Sequence, residues 1–195
     1  RGYTWDGAPT LLPVLGDEDR PADGNDSGVV AGYTDTGGTR RAFTLVNGVF
    51  TDLHDGFPGA SGSEARSVNE TGWIAGIVWY GGARYYGFIA HEGDVHPLTP
   101  TTGDTMFAAD INLAGVAAGT MSIPGQENAA FRWSNGSVEN LDPPDASMSS
   151  ANAINDAGTV VGSYTTSAEP DFSRALFHDA QGFRSPPGLG GSYTV

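Results

Sequence analysis

Along this 195-residue chain the apolar positions fall in short alternating runs, broken by Gly, Asn, Asp and Pro. No stretch sustains an apolar period of 3.6, so the pattern predicts strands and almost no helix. One phrase recurs as Asn25-Asp26-Ser27-Gly28, Asn69-Glu70-Thr71-Gly72, Asn112-Leu113-Ala114-Gly115 and Asn155-Asp156-Ala157-Gly158. Each copy is followed by a small apolar run ending in Gly32, Gly76, Gly119 or Gly162, and the Asn residues are spaced by 44, 43 and 43. A second phrase keeps phase with it: Ala42-Phe43, Gly87-Phe88, Ala130-Phe131 and Ala175-Leu176, with Gly2-Tyr3 as an earlier copy. Tight turns follow at Asn47-Gly48, Glu92-Gly93, Asn135-Gly136 and Gln181-Gly182. Two phrases in phase at one period establish a repeat.

Each period reads as four strands, A to D. An Ala-rich strand A (Ala65 to Val68, Ala108 to Ile111, Ala151 to Ile154) leaves through the Asn-x-x-Gly turn, where Asn bonds nearby backbone and Gly supplies positive φ. Strand B follows (Val29 to Tyr33, Trp73 to Trp79, Val160 to Tyr164). Strand C carries the aromatic residue, and an x-Gly hairpin leads into strand D. Four strands in about 43 residues is the size of a propeller blade. The expected architecture is all-β: a five-bladed β-propeller in one domain, residues 1–195, with blades near 17–58, 59–102, 103–145 and 146–187. The last blade is shared between residues 1–16 and 188–195, an arrangement that hides open sheet edges. An open stack of repeats is the competing architecture.

Composition narrows the function. Nine basic residues, all Arg, stand against 23 acidic ones, for a net charge of −14. Nucleic acid and anionic membrane surfaces are therefore poor partners, since both require a basic face. The absence of Cys removes disulfides, zinc-thiolate sites and cysteine nucleophiles. No apolar run approaches the ~20 residues of a membrane helix, so no membrane insertion is expected.

The phrases resemble the extracellular HAF-type repeat family. Its pattern is a His-Ala-Phe strand, a Gly turn, an Asp-Leu-Gly-x-Leu-Gly-Gly segment and Ile-Asn-x-x-Gly-x-Val-Val-Gly. The run from Ala151 to Gly162 fits closely, as do Thr51-Asp52-Leu53 and Gly188-Leu189-Gly190-Gly191. No repeat here carries the His of that pattern: the equivalent positions hold Arg1, Arg41, Tyr86, Ala129 and Arg174. The resemblance implies repeated β-sheet units and a secreted or surface-exposed location. It carries over no catalytic residues. The chain begins at Arg1 without a signal peptide, so an extracellular location rests on the resemblance and on the acidic, Lys-free, Cys-free composition.

Function is sought among residues that break the repeat. The B–C and D–A connections read as long, variable loops sharing one end of the ring, where ligands would gather. The cluster Trp79, Tyr80, Arg84, Tyr85 and Tyr86 is the most distinctive: aromatic faces stack on sugars and other flat groups, while Arg offers a planar donor fork. Packing between blades is the alternative reading for these aromatics. Arg66 and Asp110, on strands lining the channel, read as an ion pair or the base of a polar pocket. Glu127 at the mouth completes the ligand candidates, and Glu64, Glu169 and Asp171 are further carboxylates to check for acid–base work. Asp17, Glu18, Asp19, Asp23 and Asp26 invite calcium but lack its usual ligand order, so a solvated acidic loop is favoured and no cofactor is expected. His54, His91, His96 and His178 read as surface residues. The Asn-x-Ser/Thr triplets at Asn25, Asn69 and Asn135 are explained by turns rather than by glycosylation.

The favoured function is a secreted, non-enzymatic binding or scaffold module taking a carbohydrate or small polar ligand at the long-loop face. One alternative is a self-assembling extracellular subunit, a homo-oligomer formed through the incomplete blade. The other is a hydrolase or lyase using acidic residues at the channel mouth.

Overall fold

The computed structural model describes residues 3–5, 9–11, 15–81, 84–98 and 105–184. A hairpin of β1 (Tyr3–Trp5) and β2 (Pro9–Leu11) precedes four sheets of four antiparallel strands each. The first holds β3 (Glu18–Gly24), β4 (Val29–Thr36), β5 (Thr39–Val46) and β6 (Val49–Asp52). The second holds β7 (Gly62–Val68), β8 (Ile74–Tyr80), β9 (Arg84–His91) and β10 (Asp94–Leu98). The third holds β11 (Met106–Ile111), β12 (Ala117–Ile123), β13 (Gln126–Ser134) and β14 (Ser137–Asn140). The fourth holds β15 (Ala146–Ile154), β16 (Val160–Thr166), β17 (Glu169–Asp179) and β18 (Gly182–Arg184). Every sheet is a simple up-and-down meander in chain order. The only helical element among the described residues is a single 3₁₀ turn, His54–Gly56. The expected partner of the first hairpin, residues 188–195, lies outside the described residues.

The sheets stack face to face, first on second, second on third, third on fourth, with their A strands β3, β7, β11 and β15 successively in contact along one edge. Apolar side chains fill each gap. Ala31, Ala42 and Leu53 of the first sheet region meet Val78, Phe88 and Ala90 of the second. Ala75 and Ile89 meet Ala108, Ala117 and Phe131. Ala118, Ala130 and Leu141 meet Ala151, Val160 and Leu176. The phrase-two aromatics Phe43, Phe88 and Phe131 are fully buried, as expected of the ring that separates neighbouring sheets. Small Ala on one sheet against large Phe on the next lets the two faces interlock at close packing.

The repeated Gly of strand B has a steric cause. Opposite it, strand A carries a β-bulge in every sheet, with Ala22, Arg66, Ala109 and Asn152 as the extra residues. The bulge pushes a strand-A carbonyl inward, so a Cβ on Gly119 would sit 1.8 Å from the Phe107 oxygen and one on Gly162 1.9 Å from that of Ser150. Only hydrogen fits. The C–D turns at Asn47-Gly48, Glu92-Gly93 and Asn135-Gly136 place both central residues at positive φ, the type I′ geometry that matches strand twist.

The recurrent Asn does more than close its turn. Each accepts, at Oδ1, the amide four residues on: Val29, Trp73, Val116 and Thr159. Its Nδ2 then donates to the next repeat's Asn carbonyl, Asn25 to Asn69 (2.8 Å), Asn69 to Asn112 (2.5 Å) and Asn112 to Asn155 (3.1 Å). A ladder of side-chain amides thus bolts the four sheets together at the A–B turns.

Two sequence expectations are corrected. The B–C connections are not long loops: β4 to β5, β12 to β13 and β16 to β17 turn in two residues, and β8 ends at Tyr80 with β9 starting at Arg84, because strands B and C run on past the expected ends. The acidic segment at Glu18 is not a loop either but strand β3. Its Asp19 is buried, accepting the Leu15 and Gly16 amides and the Thr34 hydroxyl (2.8 Å).

Candidate functional site

The extended B and C strands of the second sheet build the most distinctive cleft. Residues alternate along a strand, and in the β8–β9 register Trp79 stands directly opposite Tyr85, with Ile77 on the same face. Tyr80 and Tyr86 point the other way. They pack on each other at 5.8 Å between ring centroids and join the core shared with the first sheet. Alternation therefore splits the aromatic cluster, leaving Trp79 and Tyr85 for a ligand and Tyr80 and Tyr86 for packing.

Trp79 has a shaped seat. It pairs across β7 with Gly62, where a Cβ would come within 2.4 Å of the indole. The absent side chain lets the ring lie across strand A. Tyr85 is 39 % exposed and tilts against Phe107 of the third sheet, centroids 6.1 Å apart. Trp79, Tyr85, Phe107 and Ile77 form the apolar wall of a cleft of about 360 Å³. Its polar wall is Arg40 from the first sheet with Glu64 and Arg66 from β7. Glu64 sits between the two cations: Arg40 closes on Oε1, and Arg66 stands 3.5 Å from Oε2. Arg40 also rests over the Tyr33 ring at 5.0 Å, a cation–π contact that fixes its direction. The Glu64 hydrogen bond holds the Arg40 guanidinium above its ordinary pKa, so it stays charged at any working pH. Arg66 is the bulged residue of its strand, and bulges re-aim side chains.

A second cleft of about 230 Å³ lies two repeats on, between the third and fourth sheets. Five of its lining positions repeat those of the first, and Met148, Ser149 and Tyr164 complete it. Asn128 replaces Arg40, Ser150 replaces Glu64, Ser163 replaces Ile77, Thr165 replaces Trp79 and Ser173 replaces Tyr85. Similar scaffolding thus carries unlike linings, and only the first holds charged side chains.

Among the sequence candidates, Trp79, Tyr85, Arg66 and Glu64 meet in this cleft. Arg40 and Phe107 were not foreseen, being neighbours only through sheet stacking. Arg84 lies on β9 opposite Tyr80 and Glu127 on β13, but their side chains are outside the described residues. Asp110 does not pair with Arg66. Its carboxylate accepts the Ser67 hydroxyl (2.9 Å) and the Ile154 amide (2.9 Å), tying the third sheet to both neighbours. Asp23 does the same from the first sheet, accepting the Val68 amide at 2.9 Å. Asp17 accepts the Gly37 amide. Asp17, Asp19 and Asp23 thus serve backbone groups, and no cluster of three His, Asp or Glu able to hold a metal ion occurs among the described residues. Glu169 pairs with Arg174 on the exposed β17, and Asp171 is exposed there too.

His54 is buried rather than on the surface. Its Nδ1 lies 2.9 Å from the hydroxyl of Ser63, which is itself fully buried and accepts the Ala42 amide (2.9 Å). Burial, with the Arg41 charge adding to it, lowers the His54 pKa below its ordinary value and favours the neutral ring, which shares a hydrogen bond with the Ser63 hydroxyl. Asp142 occupies the equivalent place in the third repeat, accepting from Ser149, whose oxygen takes the Ala130 amide. The Ser–His pair is a clasp between sheets, with no access for a substrate. His91 stacks on Trp73 with ring centroids 4.5 Å apart.

The comparisons with solved structures agree with a propeller-type, all-β fold. The chain is similar to TolB from Acinetobacter baumannii, with a TM-score of 0.58 and 16% identity over 91% of this chain and 45% of that one. It is also similar to a puromycin-hydrolysing peptidase of Mycobacterium tuberculosis, with a TM-score of 0.54 and 14% identity over 95% of this chain and 32% of that one. The chain spans less than half the length of either structure. At these identities the likeness concerns the fold alone. No protein-family model and no curated protein matches the sequence. Among the described residues no helix is long and apolar enough to cross a membrane.

Proposed function

We propose that this chain is a non-enzymatic binding module of the HAF-repeat kind, acting outside the cell, whose first cleft holds a carbohydrate or other small polar ligand with one flat face. The observation that carries the reading is the contrast between the two repeat-equivalent clefts: one is lined by Trp79, Tyr85, Arg40, Glu64 and Arg66, while the other has no charged residue and holds Ser, Thr and Asn with Met148 and Tyr164. An aromatic wall facing hydrogen-bonding charged groups suits the apolar face and hydroxyl rim of a sugar. Binding is favoured over glycoside hydrolysis because that chemistry needs two opposed carboxylates. Among the described lining residues Glu64 is alone and neutralised by two Arg. The test is a glycan array followed by calorimetry. Trp79→Ala should abolish binding while leaving the fold intact, since the ring is only half-buried. A Trp79→Ala protein that binds as tightly as the parent would remove the cleft from consideration.

We infer also that the array closes as a five-bladed ring, residues 1–16 and 188–195 sharing the last blade. Support comes from the outward face of the fourth sheet. There Val161 is 41 % exposed and Ala175 is exposed, whereas Ala31, Ala75 and Ala118, and Ala42 and Ala130, at the same repeat positions are fully buried. An apolar face built like three covered ones calls for a cover. Assembly with a second copy through that face is the rival. Sedimentation showing a monomer at high concentration favours closure within one chain, and a dimer favours assembly.

A further inference from the structure

The ligand of the first cleft can be narrowed by charge, an argument that rests on the binding reading above. Two guanidinium groups face one carboxylate there, leaving a single net positive charge in a chain whose overall charge is −14. Nine Arg serve the whole molecule, so two in one small cleft is a concentration of scarce charge. They are not equivalent. Arg40 is committed: it bonds Glu64 and lies over Tyr33. Arg66 has only the 3.5 Å approach to Glu64, beyond a good N–H···O distance, and makes no hydrogen bond among the described residues. Its guanidinium edge is therefore unspent. The other repeats hold Ala22, Ala109 and Asn152 at this bulge, so nothing in the scaffold requires a cation there.

We infer that the first cleft selects an acidic sugar, a uronic-acid residue whose ring lies on Trp79 and whose carboxylate is received by Arg66. A planar carboxylate matches the guanidinium fork through two parallel hydrogen bonds. Glu64 fixes the fork's position by holding Arg40 on one oxygen and drawing Arg66 toward the other. Its negative charge, set beside Arg66, keeps the site from becoming a general anion sink. Tyr85 and Phe107 flank the ring and extend its apolar wall.

The experiment compares an oligogalacturonate, its fully methyl-esterified form and inorganic sulfate by calorimetry. Each is titrated into the parent protein, Arg66→Gln and Trp79→Ala, with melting curves recorded for all three. The expected result is a preference of at least tenfold for the acid over the ester in the parent, collapsing to near parity in Arg66→Gln without change in melting temperature. Trp79→Ala loses both oligomers. Equal affinity for acid and ester in the parent overturns the inference and leaves the binding module standing. Sulfate competing as well as the acidic oligomer overturns it too, since a ring-bearing ligand is then not selected. No binding of either oligomer overturns it for uronides, and no response to Trp79→Ala by any glycan-array hit brings down the binding reading as well.

Discussion

Removing the Asn112 side chain tests the amide ladder where it is fully engaged. Asn112 is 4 % exposed. Its Oδ1 accepts the Ala114 and Val116 amides at 3.1 and 3.0 Å, and its Nδ2 donates to Asn155 at 3.1 Å. A net hydrogen bond contributes about 1 kcal/mol, and an amide left without a partner adds to the loss. Asn112→Ala should therefore cost about 3 kcal/mol. For a domain of this length that lowers Tm by roughly 6–12 °C, at about 2–4 °C per kcal/mol. Asn155 is the control within the same molecule. It is exposed, its Oδ1 accepts only the Thr159 amide (2.9 Å), and its Nδ2 meets no further repeat among the described residues. Asn155→Ala should cost about 1 kcal/mol. Urea denaturation of the two variants, analysed with a common slope, gives the comparison. Equal losses would refute the ladder, since the turn bond alone would then explain both residues.

Other expectations follow from the same contacts. Gly119→Ala should destabilise by more than about 3 kcal/mol, because its Cβ meets a backbone oxygen at 1.8 Å that cannot move without undoing the bulge. Gly81→Ala, with open space around it, should fall within about 0.5 kcal/mol of the parent in the same denaturant series. His54 makes stability pH-dependent. Its folded pKa lies below 6.5, so the unfolded chain binds the extra proton first. Stability from this residue is full above pH 6.5 and declines as pH falls through that value toward the folded pKa. Denaturation at pH 7.5 and 5.5 should show the decline in the parent and a smaller one in His54→Gln.

How much of this was legible in the sequence depends on range. The repeat showed itself through Asn25, Asn69, Asn112 and Asn155 and through Phe43, Phe88 and Phe131, because turn chemistry and core burial are local and recur in phase. The Asn-to-Asn bond between sheets was not legible, since a donor's partner one whole repeat away leaves no local trace. The long-loop reading of the B–C segments failed for a physical reason. Polar side chains such as Asp35, Thr36 and Arg40 look like a loop, yet strands extending past the core keep their pairing while their faces turn to solvent. Glu18 to Gly24 was missed as strand A for the same reason: its only fully hidden member is Asp19, a carboxylate serving backbone amides. In the cleft, Trp79, Tyr85 and Arg66 stood out as breaks in the repeat. Arg40 and Phe107 did not, because they arrive from the neighbouring sheets. Asp110 was misread since spacing cannot tell an ion pair from a bracket on a neighbour's amide.

The most direct measurement is a crystal structure of the protein with an acidic oligosaccharide. The account predicts density for one ring against Trp79, its carboxylate within hydrogen-bond distance of Arg66, and none in the groove lined by Met148, Ser150 and Tyr164. Sugar density in that second groove, with the Trp79 cleft empty, would contradict it.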